Sequence, residues 1–207
     1  MKVTIYGERC SGTNYLEQLL LLNFDVEIIW NYGWKHFFGF ADLANSDHVV
    51  FIGIVRNLHD WINSFYFHQH HLPLHLKDKE SFLNSEFYSI NKDETEIMED
   101  RHIETKERYK TIFELRHVKN KFLVDTMPTL VKKYCLITHD NLINQFTITM
   151  NKLAKYLPIK TTVPMNTPFY KNHKDIKYGK RDYKIFDKDT LLQKADLYYE
   201  KKLFHFT

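Results

Sequence analysis

The chain is poor in cysteine. Cys10 and Cys135 are its only two, they stand far apart in 207 residues, and neither belongs to a paired C-x-x-C spacing. That excludes a disulfide framework and a cysteine-rich metal site. Long hydrophobic runs are missing as well, and no stretch is apolar enough for a bilayer span. The opening residues pass straight into a strand-like segment with no basic region and long apolar stretch, so no secretory leader is read there. A reducing, cytoplasmic or otherwise intracellular location is the expectation. There is no internal repeat and no low-complexity tract. Nor does one sign of charge dominate: 29 basic against 26 acidic residues leave a formal net charge of +3 and a pI near 8.6. Such a mild excess suits small anionic ligands and does not call for nucleic acid.

What is present fits one α/β domain over residues 1–207. Lys2 to Tyr6 is short, β-branched and aromatic and ends at Gly7, as a buried strand meeting a tight turn does. Leu16, Leu19 and Leu20 then recur at helical spacing. A second unit follows, in which Val49 to Val55 is a near-continuous apolar run expected of a central parallel strand. It closes at Arg56 and Asn57, and Leu58, Trp61, Ile62, Phe65 and Tyr66 mark a helix. Residues 68–108 are polar, charged and poorly periodic, which predicts a mobile lid or an acceptor-binding insertion. Beyond them the pattern predicts a helix around Tyr109 to Arg116, a strand over Tyr134 to Thr138, a helix around Phe146 to Tyr156 and a closing helix over Lys188 to Lys202.

Gly7-Glu8-Arg9-Cys10-Ser11-Gly12-Thr13 keeps the G-x-x-x-x-G spacing of a phosphate loop, between strand and helix as the mechanism requires. Glycines let successive N–H groups converge on phosphate oxygens while the following helix aims the positive end of its dipole at them. An ATP-using loop carries Lys and then Ser or Thr after its second glycine, where this chain has Thr13 and Asn14. The strand ending at Val55 closes on Arg56 in place of an acid that would help hold magnesium. The arrangement reads as metal-free.

Two motifs resemble the sulfotransferases that use 3′-phosphoadenosine 5′-phosphosulfate (PAPS). The family's first loop, approximately K-S-G-T-T-W, corresponds to Cys10-Ser11-Gly12-Thr13-Asn14-Tyr15. The resemblance implies that Ser11, Gly12, Thr13 and Asn14 donate to the 5′-phosphosulfate and that Tyr15 contacts adenine. The family's second motif is a strand followed by Arg and then Ser, which grip the 3′-phosphate; Arg56 and Ser64 match it, and Asp60 and Tyr66 fall where the family has Asp and an aromatic. Weaker echoes are Leu136 to Leu142, which resembles a later Y-E-D-L turn, and Lys180 with Arg181, which resemble a late basic loop closing over the 3′-phosphate. The implied fold is a three-layer P-loop α/β fold, a central parallel sheet flanked by helices with a helical or irregular lid. The implied reaction is sulfuryl transfer from PAPS to an acceptor hydroxyl on a small molecule, glycan or lipid, leaving 3′,5′-adenosine bisphosphate (PAP).

Sulfuryl transfer needs a base for the acceptor and fixed cations for the leaving phosphate. His36 is the base candidate, following the first βα unit as the family's Lys-x-His region does, although Lys35 and His36 are adjacent here; a histidine without catalytic duty satisfies the same pattern. The family's loop lysine is replaced by Cys10, so Arg9 and Lys35 are the cations expected at the bridging oxygen. Cys10 reads either as a reactive thiol or as a small buried filler. His68, His70, His71 and His75 form a cluster that no Cys or carboxylate completes as a metal set. A P-loop nucleotide or small-molecule kinase and a non-catalytic nucleotide-binding protein remain as alternatives.

Overall fold

The computed structural model describes residues 1–164 and 182–204, together with the backbone of two short strands between them. β1 (Lys2–Tyr6), α1 (Thr13–Asn23), β2 (Glu27–Ile28), β3 (Val49–Val55) and α2 (Leu58–His68) come first. α3 (Lys79–Asn84), α4 (Ile112–Lys121), α5 (Met127–Leu130), β4 (Tyr134–Thr138), α6 (His139–Asn144) and α7 (Phe146–Leu153) follow. The end holds the antiparallel pair β5 (Phe169–Tyr170) and β6 (His173–Lys177), then α8 (Lys188–Lys194) and α9 (Tyr198–Phe204).

β1 to β4 form a parallel sheet in the order β2-β1-β3-β4. All of β3 is buried, which explains why its sequence is apolar without alternation: both sheet faces are covered. Val50, Ile52 and Ile54 point into one cluster with Val3 and Ile5 and with Leu16, Leu19 and Leu20 of α1 and Leu153 of α7. Val49, Phe51 and Val55 point the other way, onto Phe38, Phe122 and Met127. The period of two along a strand thus fixes a three-layer α/β arrangement.

A further cluster lies over α2. Trp61 and Phe65 pack there with Leu72, Leu76, Phe82, Phe87 and Tyr109. Residues 68–108 are therefore a cap with buried anchors, made of α3 and short 3₁₀ turns at Leu74–Lys77 and Met98–Asp100. Their weak periodicity follows from elements too short to repeat. Tyr109 exchanges backbone hydrogen bonds with Phe87 (2.7 and 3.1 Å), so α4 begins only at Ile112, capped by the Thr111 hydroxyl. The expected closing helix is two helices, because the chain extends at Ala195 and Asp196 accepts from the Tyr198 N–H (2.9 Å) to start a new one.

Candidate functional site

From β1 the chain steps outward to β2, then returns past β1 to lay down β3 on the other side. The carboxyl ends of β1 and β3 flank that reversal, the position where open α/β sheets form ligand crevices. The Gly7–Gly12 loop and Arg56 both sit there.

The loop is shaped by its own backbone. Gly7 N–H donates to the Lys35 carbonyl (2.9 Å), and the Ser11 N–H and hydroxyl both donate to the Glu8 carbonyl (3.1 and 2.6 Å). The chain then passes through left-handed conformations at Cys10 (φ 62°) and Gly12 (φ 96°). A Cβ at Gly12 would approach Cδ2 of His139 to 2.5 Å, so glycine is required by conformation and by space. Trp61 Nε1 donates to the Arg9 carbonyl (2.8 Å), anchoring the loop on α2.

Among the described residues no side chain caps α1, and its first turn contains no acid. The positive end of its dipole therefore faces the loop with no acid of its own first turn to offset it. α2, α3, α4 and α6 are capped by Asn57, Asp78, Thr111 and Thr138 respectively.

The two sequence motifs meet at Cys10. Arg56 donates from one terminal nitrogen to the Cys10 carbonyl (3.2 Å), and the Cys10 thiol lies 3.7 Å from the Ser64 carbonyl. Arg56 and Ser64 are both buried. Asp60 is 4.0 Å from the Arg56 guanidinium, whereas the buried Nε of Arg56 has no hydrogen-bond partner among the described residues. A buried N–H of that kind costs about 1–3 kcal/mol until an acceptor arrives. Burial pushes the Cys10 thiol up to about 11, so the thiol is neutral at physiological pH, in keeping with the filler reading.

Lys35 reaches the same place from the other side. Its ammonium donates to the Asn14 side-chain carbonyl, lies 3.5 Å from Glu17 and sits over the rings of Trp30 and Trp34 (5.6 and 5.1 Å). His36 Nδ1 is 2.7 Å from the Gly7 carbonyl; since the carbonyl accepts, Nδ1 carries the proton and Nε2 the lone pair. Burial, only partly offset by Glu8, pushes His36 down to about 3, so the ring is neutral throughout the physiological range.

Two expected roles do not survive the packing. Arg9 is turned away from the crevice into a buried ion network: its Nε meets Glu8 (2.8 Å), one terminal nitrogen Ser89 (2.6 Å) and the other Asp100 (2.8 Å). Phe65 covers the guanidinium face at 4.5 Å. Arg9 is consumed in holding the loop to the cap and cannot serve a bridging oxygen. Tyr15 is 4% exposed and packs in the core beneath the sheet face, so it presents no ring to an adenine. Ser11 spends its hydroxyl on the loop, and Thr13 is buried, whereas Asn14 is exposed beside Lys35.

The remaining expected positions are dispersed. Asp140, in the segment after β4, accepts from the Asn57 N–H and amide (3.2 and 2.7 Å). A cavity of about 390 Å³ opens beside this pair, bounded by His59, Asn141, Leu191 and Phe204. Lys180 and Arg181 lie outside the described residues. His68 and His70 stack ring on ring (5.4 Å), His71 contacts the Ile90 carbonyl (3.1 Å), and His75 packs near Tyr88 (5.6 Å). No group of three potential metal ligands converges among the described residues.

Sequence reasoning missed Lys119, Asp100 and Ser89. Lys119 donates to Glu8 (2.7 Å), to the His36 carbonyl (2.7 Å) and to Asp100. One signal pointed that way: an acid at Glu8, inside a loop suited to anions, demands a neutralising cation nearby. Comparison with protein families, with curated proteins and with solved structures finds no match to this chain.

Proposed function

We propose that this chain binds PAPS and transfers its sulfuryl group to an acceptor hydroxyl, using the β1–α1 turn as a phosphate loop. The observation that carries this reading is the meeting of Arg56, Cys10 and the uncapped start of α1 at one crevice, with a buried Arg56 Nε that lacks an acceptor. A 3′-phosphate supplies that acceptor, and a guanidinium fork recognises it without dependence on pH. The 5′-phosphosulfate lies against the α1 N-terminus, where backbone N–H groups and the dipole favour a dianion. Lys35, hydrogen-bonded to Asn14 of the same turn, neutralises charge developing on the leaving phosphate oxygen. Neutral His36, with its lone pair on Nε2, receives the acceptor proton. β3 ends at Val55 and is followed by Arg56, with no carboxylate there for magnesium, which favours this donor over ATP.

A non-catalytic nucleotide-binding role is the second reading. It is favoured by the diversion of Arg9 into the ion network and by the weak basicity of His36. Thermal-shift titration separates the ligand readings: PAP stabilises the protein, and ATP with magnesium does not. A response to ATP and magnesium alone overturns the sulfotransferase reading. Transfer of labelled sulfate from PAPS to a panel of hydroxyl acceptors then distinguishes turnover from binding.

A further inference from the structure

The backbone that carries Arg56 is held from behind by two elements that lie outside both sequence motifs. Arg116 of α4 donates from one terminal nitrogen to the Arg56 carbonyl (2.8 Å), at the corner where β3 gives way to α2. Its Nε meets Glu200 of α9 at 2.5 Å, and its guanidinium lies over the Trp61 ring at 4.8 Å. Arg116, Trp61 and Glu200 are all buried. A guanidinium is a rigid planar fork, so contacts at Nε, at one terminal nitrogen and on one face leave it a single orientation. The second carboxylate oxygen of Glu200 is buried with no hydrogen-bond partner among the described residues, and a buried ion pair left incompletely hydrogen-bonded is a poor source of stability. What this pair secures is placement. Glu200 also cancels the charge of Arg116, which would otherwise stand as a second buried cation beside Arg56.

Resting on the 3′-phosphate reading, we propose that Arg116 and Glu200 are positioning residues for the donor site: they fix the β3–α2 corner so that Arg56 presents its fork to the 3′-phosphate. α9 is then part of the donor site without touching the ligand. Recognition groups work only when neighbours hold them within about 0.5 Å of the productive geometry. The Arg56 side chain has one anchor of its own, the Cys10 carbonyl (3.2 Å), and Arg116 supplies the backbone anchor. Arg116 does not itself reach the phosphate, because its Nε and one terminal nitrogen are spent inward on Glu200 and on the Arg56 carbonyl. Glu200 is delivered by a helix that is seated independently of the crevice: Tyr199 and Lys202 of α9 both donate to Asp125, in the segment between α4 and α5.

Affinity for two nucleotides separates placement from general support of the fold. The full chain is titrated by calorimetry with PAP and with 5′-AMP, which lacks only the 3′-phosphate, so the ratio of the two dissociation constants isolates what Arg56 contributes. Arg116→Met keeps an apolar contact for Trp61 and removes both hydrogen bonds. It lowers the preference for PAP by about tenfold, as losing one hydrogen bond to a charged group does, and leaves the affinity for 5′-AMP as in the parent. Glu200→Gln preserves shape and removes only the charge; it moves the ratio the same way by about threefold or more, and it carries the test if Arg116→Met does not fold. In an Arg56→Ala background neither substitution lowers the ratio further. An unchanged ratio in either folded variant, equal weakening of both nucleotides, or a further drop in the Arg56→Ala background overturns the proposal, since a merely structural role moves both ligands alike. A parent that prefers PAP, with variants that keep the preference, rejects the positioning role alone. A parent with no preference for PAP over 5′-AMP rejects the 3′-phosphate reading and the positioning role with it.

Discussion

At the residue scale, the crevice depends on a buried side chain that never enters it. Lys119 joins the loop through Glu8, the cap through Asp100 and the His36 segment through a backbone carbonyl. Burial pushes Glu8 up, but the charges of Lys119 and Arg9 outweigh it and hold the carboxyl down to about 2. Lys119→Met leaves two buried carboxylates sharing Arg9, and removing one partner of such a set costs about 3–5 kcal/mol. Urea denaturation of that variant measures the loss, and pairing it with Asp100→Asn restores part; a loss below about 1 kcal/mol places the network outside the folding balance. His36 gives the residue-level pH dependence. Its proton affinity is depressed on folding, so the unfolded chain binds more protons below the ordinary value of 6.5. Stability is full above that value and falls with pH through the window down to about 3. Between pH 6.5 and 5, at about 1.36 kcal/mol per unit and discounted for partial exposure, the loss is about 1–2 kcal/mol. His36→Asn shows that much less acid sensitivity between pH 7 and 5 in denaturation; an unchanged slope assigns it to other groups.

At the element scale, the junction of β1 and α1 passes twice through the left-handed region, at Cys10 and Gly12. Gly12 is left-handed and sits against His139, and a Cβ in that backbone region costs about 1–2 kcal/mol before any clash is counted. Gly12→Ala is expected to lower stability by about 2 kcal/mol or more in urea titration and to remove the PAP response; a variant as stable as the parent, with PAP binding intact, shows that the turn is free to relax. Central elements were legible because each is long enough for its pattern to repeat: Val49–Val55 is buried on both faces and reads as such. β2 was not, since two residues carry no period and its place at the sheet edge is set by β1. α8 and α9 share an apolar stripe, and the break between them turns on one backbone at Ala195 and one Asp196 cap.

At the scale of the whole molecule, the strand order decides what the motifs mean. Sequence spacing placed Gly7–Asn14 and Arg56 with Ser64 in separate βα units, and the parallel pairing of β1 with β3 brings them together at Cys10. Arg9 could not be placed from sequence, because its partners Ser89 and Asp100 come from the cap and lie in a polar stretch that resembles a solvated surface. Tyr15 was given an adenine contact by the resemblance alone; it stands four residues before Leu19, and the helical period puts it on the same buried stripe. The central claim is that the Arg56 crevice binds a 3′-phosphorylated adenine nucleotide, and the direct measurement is the thermal shift with PAP of the parent chain and of Arg56→Ala. PAP raises the melting temperature of the parent and leaves Arg56→Ala unmoved. No shift in the parent, or an equal shift in both proteins, contradicts the claim.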